Sequence, residues 1–298
     1  MLLNRLATRM TLTGLMSILA VLGTLPAAHS AEEAATISHS ADYFPDKVGS
    51  RWTYRGQIIE GPLQSIDNKY FTNVSTVTGT KTVKGVTVTA FHDTNPGNHG
   101  PSDSYYRRDV VGIVYYGSDP GTPLEKQIIP YQIVRFPMTV PSSFQQFDRT
   151  GLDFGTDMDR DGTNEKVDVR GWTTLVGREA VAVPAGTFPD AIKVEARMTM
   201  RIHLSGVGRP ATGTDVMTAW FAKGVGLVKY SERQELSAPK EDRGVVTEVM
   251  EELEEYEIKP LKESLSRLES SPERILADYA RHHELSQVLR ATSLRAHP

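Results

Sequence analysis

The segment from residue 192 to residue 202 restricts the possible fold most, because apolar and polar side chains alternate along its whole length. The apolar set is Ile192, Val194, Ala196, Met198, Met200 and Ile202. The intervening set is Lys193, Glu195, Arg197, Thr199 and Arg201. Successive side chains of a strand point to opposite faces, so this pattern predicts a strand of an antiparallel sheet with one buried and one wet face.

Other segments also have the composition of strands. Runs rich in Thr and Val at 70–79 and 82–91 flank a turn at Lys84-Gly85, and 105–116 resembles a strand pair bent near Asp109 to Gly112. Further strands are predicted at 216–222 and 227–234. The glutamate-rich segment 245–258 suits a helix or a long strand, and the strands that precede it favour a strand. The predicted fold class is therefore mainly β, an antiparallel curved sheet arranged as a half-barrel or a sandwich.

The first 30 residues have the three parts of a secretory signal. Arg5 and Arg9 precede an apolar run from Met10 to Leu25, and small residues around Ala31 follow it. A run shorter than roughly 20 residues spans a bilayer poorly, so no transmembrane span is expected after cleavage. The predicted location is the periplasm or the extracellular space.

Composition excludes two classes of function. The chain has no cysteine, which rules out disulfides and thiolate catalysis. Its 33 basic and 37 acidic residues leave a net charge of −6 once Arg5 and Arg9 are removed with the signal. A mildly acidic protein of this kind is not expected to bind nucleic acid.

The remaining chain divides into three predicted parts. Residues 31–42 form a short flexible lead, 43–258 form the antiparallel β domain, and 259–298 form a helical segment. Within the last part, Ser271-Pro272-Glu273 is typical of a helix start, and leucines recur at helical spacing before it. One or two C-terminal helices are therefore expected.

The strongest chemical signal is a twelve-residue loop, Asp157 to Asp168. Acidic residues occupy positions 1, 3, 5, 9 and 12, and Gly162 occupies position 6. Calcium takes six to eight oxygen ligands, and this spacing would arrange them around one ion. The predicted ligands are the side chains of Asp157, Asp159, Asp161, Glu165 and Asp168 and the backbone carbonyl of Thr163.

This loop resembles the calcium loops of EF-hand proteins and, more closely, those of dockerin and thrombospondin-type repeats. It departs from them in having Asp168 rather than Glu at position 12, and Asn164 rather than an apolar residue at position 8. The flanking residues Val167 and Val169 have strand character, so we expect a β-hairpin loop and a structural Ca²⁺ clamp. The alternative is an acidic hairpin tip that charge keeps soluble.

A second resemblance spans about residues 43–235. It is carried by Val183-Pro184-Ala185-Gly186-Thr187-Phe188-Pro189-Asp190-Ala191, by Trp220-Phe221-Ala222-Lys223-Gly224-Val225-Gly226-Leu227-Val228-Lys229, and by the opening aromatic segment 43–54. These segments resemble a widespread set of uncharacterised exported bacterial β proteins. The resemblance implies an antiparallel sheet, curved like the half-barrels of periplasmic lipoprotein carriers, and implies no activity.

No motif in the sequence indicates a catalytic reaction; Ser205, for example, lacks the first glycine of a nucleophile elbow. The prediction is a non-catalytic exported binding or assembly protein with a structural calcium loop, acting on an envelope partner or a lipid. Two alternatives stay open. One is a lipid or lipoprotein carrier with an apolar concave sheet, and the other is a hydrolase whose site is assembled from distant loops.

Overall fold

The computed structural model describes residues 36–37, 39–60, 69–94, 100–109, 111–205, 209–237 and 245–260. The strands are β1 (Thr36–Ile37), β2 (Arg51–Glu60), β3 (Tyr70–Val83), β4 (Val86–Asp93), β5 (Ser102–Asp109), β6 (Gly112–Asp119), β7 (Tyr131–Arg135), β8 (Met138–Thr139), β9 (Ser142–Asp153), β10 (Lys166–Val183), β11 (Gly186–His203), β12 (Ala211–Ala222), β13 (Gly226–Leu236) and β14 (Val245–Glu257). The helices are α1 (Pro123–Ile128) and a single 3₁₀ turn (Ser40–Asp42). The mainly β prediction is confirmed.

Parts of the predicted organisation lie outside these residues. They include the signal sequence at 1–30 and the leucine-rich and Ser271-Pro272 segments predicted to form the C-terminal helices. Within the predicted lead, Thr36 and Ile37 pair with Thr139 and Met138 in a two-stranded sheet. In the described part of the chain, no helix has the length and hydropathy needed to cross a bilayer.

Twelve strands form one antiparallel sheet in the order β7-β6-β5-β4-β3-β2-β14-β13-β12-β11-β10-β9. The chain therefore makes two meanders, β2 to β7 and β9 to β14, and each meander pairs sequential strands. The two meanders meet where β14 pairs with β2, for example Tyr256 with Trp52. All the long strands belong to this one sheet, so the curved-sheet alternative describes the fold and the sandwich does not.

The two edges of the sheet approach each other. The rings of Tyr131 on β7 and Phe147 on β9 have centroids 5.1 Å apart. The Thr173 hydroxyl on β10 donates to the Ile133 carbonyl on β7 at 3.1 Å. The sheet is thus nearly closed around its interior, more so than the expected half-barrel.

The alternating segment at 192–202 lies in β11 as predicted. Its apolar residues share the inner face, where Val194 is opposite Leu175 of β10 and Ala219 of β12. Leu175 and Ile202 are fully buried. Each such side chain gains roughly 1.5–3 kcal/mol from leaving water, so the alternation fixes which face of β11 is buried.

Two other sequence predictions are confirmed, and one element was not predicted. Lys84 and Gly85 form the β3–β4 turn with positive φ angles of 51° and 78°, and the ambiguous segment 245–258 is strand β14. Helix α1 was missed. It starts with a capping box in which the Thr122 side chain accepts from the Glu125 N–H and Glu125 accepts from the Thr122 N–H.

Candidate metal site

The acidic loop connects β9 and β10, whose pairing begins with Asp153 opposite Lys166. Two backbone hydrogen bonds close its base: Phe154 N–H to the Glu165 carbonyl at 2.9 Å, and Glu165 N–H to the Thr156 carbonyl at 3.1 Å. The hairpin context expected from the flanking valines is confirmed. Below the loop, Phe154 and Met158 pack on the apolar cluster that contains Val167.

Three carboxylates of the loop converge. Asp157, Asp159 and Glu165 each present an oxygen within 4.8 Å of the others, and they are the one group of this kind among the described residues. Asp157 and Asp159 are half-buried. Glu165 is 1% exposed, which is unusual for a glutamate and requires strong hydrogen-bond partners.

Backbone N–H groups hold the Asp157 carboxylate in place. It accepts from Arg160 at 2.7 Å, from Asp161 at 3.2 Å and from Gly162 at 2.8 Å. The loop reaches this geometry with positive φ angles at Arg160 (66°) and Gly162 (94°). Gly162 can adopt this angle without strain because it has no Cβ.

The buried Glu165 is held in the same way. One carboxylate oxygen accepts from the N–H groups of Met158 at 3.1 Å and Asp159 at 3.2 Å. The other accepts from the N–H of Ser205 at 3.2 Å. Ser205 lies in the connection after β11, 40 residues away in sequence, so the loop is joined to a second hairpin through this side chain.

The other predicted ligands bind different partners. Asp161 accepts from the Ser205 hydroxyl at 2.5 Å and from the Thr163 N–H at 2.9 Å. These hydrogen bonds, the one from Ser205 first, lower the pKa of Asp161. Thr163 itself is exposed. Asp161 therefore sits beside the three converging carboxylates without being one of them.

Asp168 lies in strand β10, beyond the loop. Its carboxylate pairs with the His203 ring at 2.8 Å and accepts from the Gly151 N–H at 2.9 Å. The hydrogen bond to His203 is the main cause that lowers the pKa of Asp168, and the Gly151 N–H adds to it.

The structure thus brings three of the six predicted ligands together. Ser205, which binds both Asp161 and Glu165, was not predicted as part of the site, and no local pattern marks it.

The apolar interior bears on the carrier alternative. A pocket in the apolar cluster around Leu175 has a volume of about 20 Å³. Its lining is Tyr43, Ile113, Val134, Phe136, Met138, Leu175, Ile192, Val194 and Phe221. That volume is close to the space of one water molecule, so this part of the sheet interior is filled by its own side chains.

Ser205 also bears on the hydrolase alternative. Its hydroxyl donates to Asp161, whereas His203 pairs with Asp168. A nucleophile needs its base within hydrogen-bond reach, and here the serine and the histidine have separate partners.

Comparison with known proteins gives distant structural similarity alone. No protein-family model matches the chain, and no curated protein matches it. A "putative exported protein with YmcC-like fold" from Bacteroides fragilis NCTC 9343 is 14% identical, with a TM-score of 0.32 over 72% of this chain and 98% of that one. A "putative lipoprotein" from Parabacteroides distasonis ATCC 8503 is 16% identical, with a TM-score of 0.32 over 72% of this chain and 97% of that one.

Proposed function

We propose that this chain is an exported, non-catalytic β protein of binding or assembly type, in which the 154–165 loop binds Ca²⁺ as a structural clamp. The observation that carries the proposal is the convergence of Asp157, Asp159 and Glu165 within 4.8 Å. Like charges placed so close repel each other, and a divalent cation among them removes that cost.

The carboxylates keep capacity for an ion. An ionised carboxylate has about four lone-pair sites. Asp157 accepts three backbone hydrogen bonds and Glu165 accepts three, which leaves acceptor capacity on each. The same N–H groups fix both side chains before any ion arrives, so little conformational entropy is lost on binding.

The coordination shell would need further oxygens, because calcium takes six to eight. Asp161 and the Thr163 carbonyl, both predicted as ligands from the sequence, are candidates within the loop, and water can supply the rest. Asp168 is bound to His203 and Gly151, so it is not required for the core of the site. A site of this kind suits the 10⁻⁴–10⁻³ M affinity range of extracellular calcium modules.

The clamp role follows from what the loop contacts. Glu165 and Asp161 both bind Ser205, which joins the β9–β10 hairpin to the connection between β11 and β12. An ion that fixes these two acids would therefore tie two hairpins together over the apolar cluster around Val167 and Ile202. Export rests on the N-terminal sequence. The part of the apolar interior around Leu175 is filled by its own side chains, which favours a binding or assembly role over lipid carriage.

Thermal unfolding with calcium or with a chelator tests this proposal. At a free calcium concentration a hundredfold above Kd, binding stabilises the fold by about 2.7 kcal/mol. For a domain of this size that raises Tm by about 5 to 10 °C. The Asp159→Asn variant should lose the response, whereas Asp148→Asn, which removes a charge paired with Arg170 outside the loop, should keep it.

Asp168→Asn distinguishes two ligand sets. A normal calcium response in this variant supports the three-carboxylate core, and a lost response supports the full twelve-residue register instead. If the wild-type protein melts at the same temperature in calcium and in chelator, and calorimetry detects no calcium binding, the metal proposal is refuted.

A further inference from the structure

A second set of acids lies inside the sheet, away from the loop. We name Asp93 (β4), Asp215 (β12), Glu232 (β13) and Glu251 (β14) the interior acid stripe. Strand alternation puts them on the inner face: Glu232 is in phase with the fully buried Val228, Glu251 lies two residues from the fully buried Leu253, and Asp93 lies two residues from the buried Phe91. Asp215 is 7% exposed and Glu251 is 8% exposed.

The acids follow one another diagonally across neighbouring strands. Asp215 is opposite Gln234 and Glu232 is opposite Met217, so the two acids are diagonal neighbours. Glu232 and Glu251 are related in the same way, since Tyr230 is opposite Glu251. Diagonal neighbours in a sheet are roughly 7–8 Å apart. From Glu251 the polar row continues to Asn73 on β3, whose amide donates to Glu251 at 2.9 Å.

One buried carboxylate oxygen of the stripe lacks a hydrogen-bond partner. The Asp215 Oδ1 atom is buried and has no hydrogen bond. Its other oxygen accepts a long hydrogen bond, 3.5 Å, from the Gln234 amide, which also donates to Glu232 at 2.6 Å. Asp215 faces the interior, because it shares the strand phase of Ala211 and Gly213 in β12, both of which are buried.

The acids of the stripe have no ion-pair partner in the part of the chain that the structure describes, although the charge of His92, the sequence neighbour of Asp93, acts on that one acid. None of the ion pairs among the described residues includes a member of the stripe. Their partners are neutral: Tyr230 and Gln234 for Glu232, and Asn73 for Glu251. Burial is also the first cause that raises the pKa of Asp93, Asp215 and Glu251. Buried acids without a counter-charge favour the binding of a cation.

The spacing selects the kind of cation. Asp93, Asp215, Glu232 and Glu251 do not bring three oxygens within 4.8 Å of one another, as the loop acids do, so they do not surround a single metal ion. Instead they are spread over several strands, and the Tyr230 hydroxyl donates to Glu232 at 2.8 Å. Separate carboxylates in a row suit a chain of ammonium groups, through charge-assisted hydrogen bonds.

We propose that the interior acid stripe binds a linear polyamine, with successive ammonium groups at Asp215, Glu232 and Glu251. Glu232 and Tyr230 are half-buried, so solvent reaches this part of the interior. The site is separate from the calcium loop and does not depend on it.

Isothermal titration of the purified protein with spermidine at neutral pH and low salt tests the proposal. We expect saturable 1:1 binding that weakens about tenfold or more in Asp215→Asn and in Glu232→Gln, because each loses one ion pair in a desolvated site. Glu235→Gln is the matched control. It removes an acid from the outer face of the same strand, where Glu235 pairs with Arg233, and should change Kd by about twofold or less.

Two further measurements make the outcome decisive. Asp159→Asn, which alters the calcium loop, should bind spermidine like the wild-type protein, so the two sites are tested separately. Spermidine should raise the Tm of Asp215→Asn less than that of the wild-type protein at the same concentration, and the melting transition itself shows that the variant is folded. No saturable binding to the wild-type protein, equal weakening in Glu235→Gln, or undiminished binding in both interior variants would each overturn the proposal.

Discussion

Glu251 should make the folding stability of this protein fall as the pH rises toward neutrality. Its carboxyl group is buried on the inner face of β14 and accepts one hydrogen bond, from Asn73. Burial, with repulsion from Asp93 and Glu232, raises the pKa of Glu251 from 4.5 to about 7, against the lowering effect of the Asn73 hydrogen bond. The folded protein therefore holds this proton more tightly than the unfolded chain does.

The sign and size of the effect follow from linkage. The stabilisation from the protonated carboxyl is fully present below the unfolded pKa near 4.5, and it is lost as the pH rises through the folded pKa of about 7. That difference in pKa corresponds to about 3 kcal/mol. Asp215 acts in the same direction, since its pKa is also raised to about 7.

Urea denaturation of the wild-type protein and of Glu251→Gln, at about pH 4.5 and about pH 8, measures this contribution. The glutamine keeps an acceptor for Asn73 and does not titrate. Near pH 4.5 the two proteins should have similar free energies of unfolding, and near pH 8 the variant should be more stable by about 3 kcal/mol. Glu255→Gln, at an exposed position of the same strand, should show no such pH-dependent difference. Parallel stability profiles for the wild-type protein and Glu251→Gln would refute the reasoning.

Three substitutions test the packing of the fold by denaturation. Leu175→Ala should destabilise the protein by about 3 kcal/mol, since this side chain is fully buried, and a loss below about 1 kcal/mol would show a looser core. Gly56→Ala places a methyl group into the ring of Phe71 and should lower the free energy of unfolding by about 1–3 kcal/mol. The double variant Gly56→Ala/Phe71→Leu should regain part of that loss, because the smaller side chain leaves room for the methyl group. Trp52→Phe removes the indole N–H that donates to the buried Val225 carbonyl at 2.7 Å, and should cost about 1–3 kcal/mol unless water replaces it.

Sequence patterns predict which face of a strand is buried, but they do not predict which strands pair. Alternation predicted the buried face of β11, because a strand repeats every two residues. For β14, the strands that precede it in the sequence favoured a strand over a helix. The contact of β14 with β2 joins Tyr256 to Trp52, and no local pattern encodes a pairing over that sequence distance. The six-residue helix α1 is too short to show a helical period, although its capping box at Thr122 was visible.

The candidate metal site was predicted in part for a similar reason. The three acids that converge all lie before Lys166, where β10 begins. Asp168 is already in that strand, and the strand geometry directs its carboxylate to His203 on β11. The spacing of acids along the sequence does not show at which residue the loop ends and the next strand begins. The contribution of Ser205 depends on tertiary structure alone, because it comes from a different hairpin.

The interior acids, in contrast, do have a sequence signal. In β13, Val228, Tyr230, Glu232 and Gln234 share one phase, and the valine shows that this phase faces inward. A glutamate in the buried phase of an amphipathic strand is costly unless it has a partner, so its presence there is informative. The inward position of Glu232 can therefore be predicted from the sequence once β13 is assigned as a strand.

The number of strands explains why acids are tolerated inside this sheet. A closed sheet of about eight strands is just filled by its own side chains, and wider ones leave room for water or a ligand. Here twelve strands curve almost to closure, and the segment before β2 fills one part of the interior. Phe44 from that segment packs against Phe91 and Tyr106, with ring centroids 5.3 and 5.5 Å away. The part lined by Asp215, Glu232 and Glu251 has polar side chains instead, so it is there, rather than in the packed apolar part, that the physics of the fold favours a bound ligand.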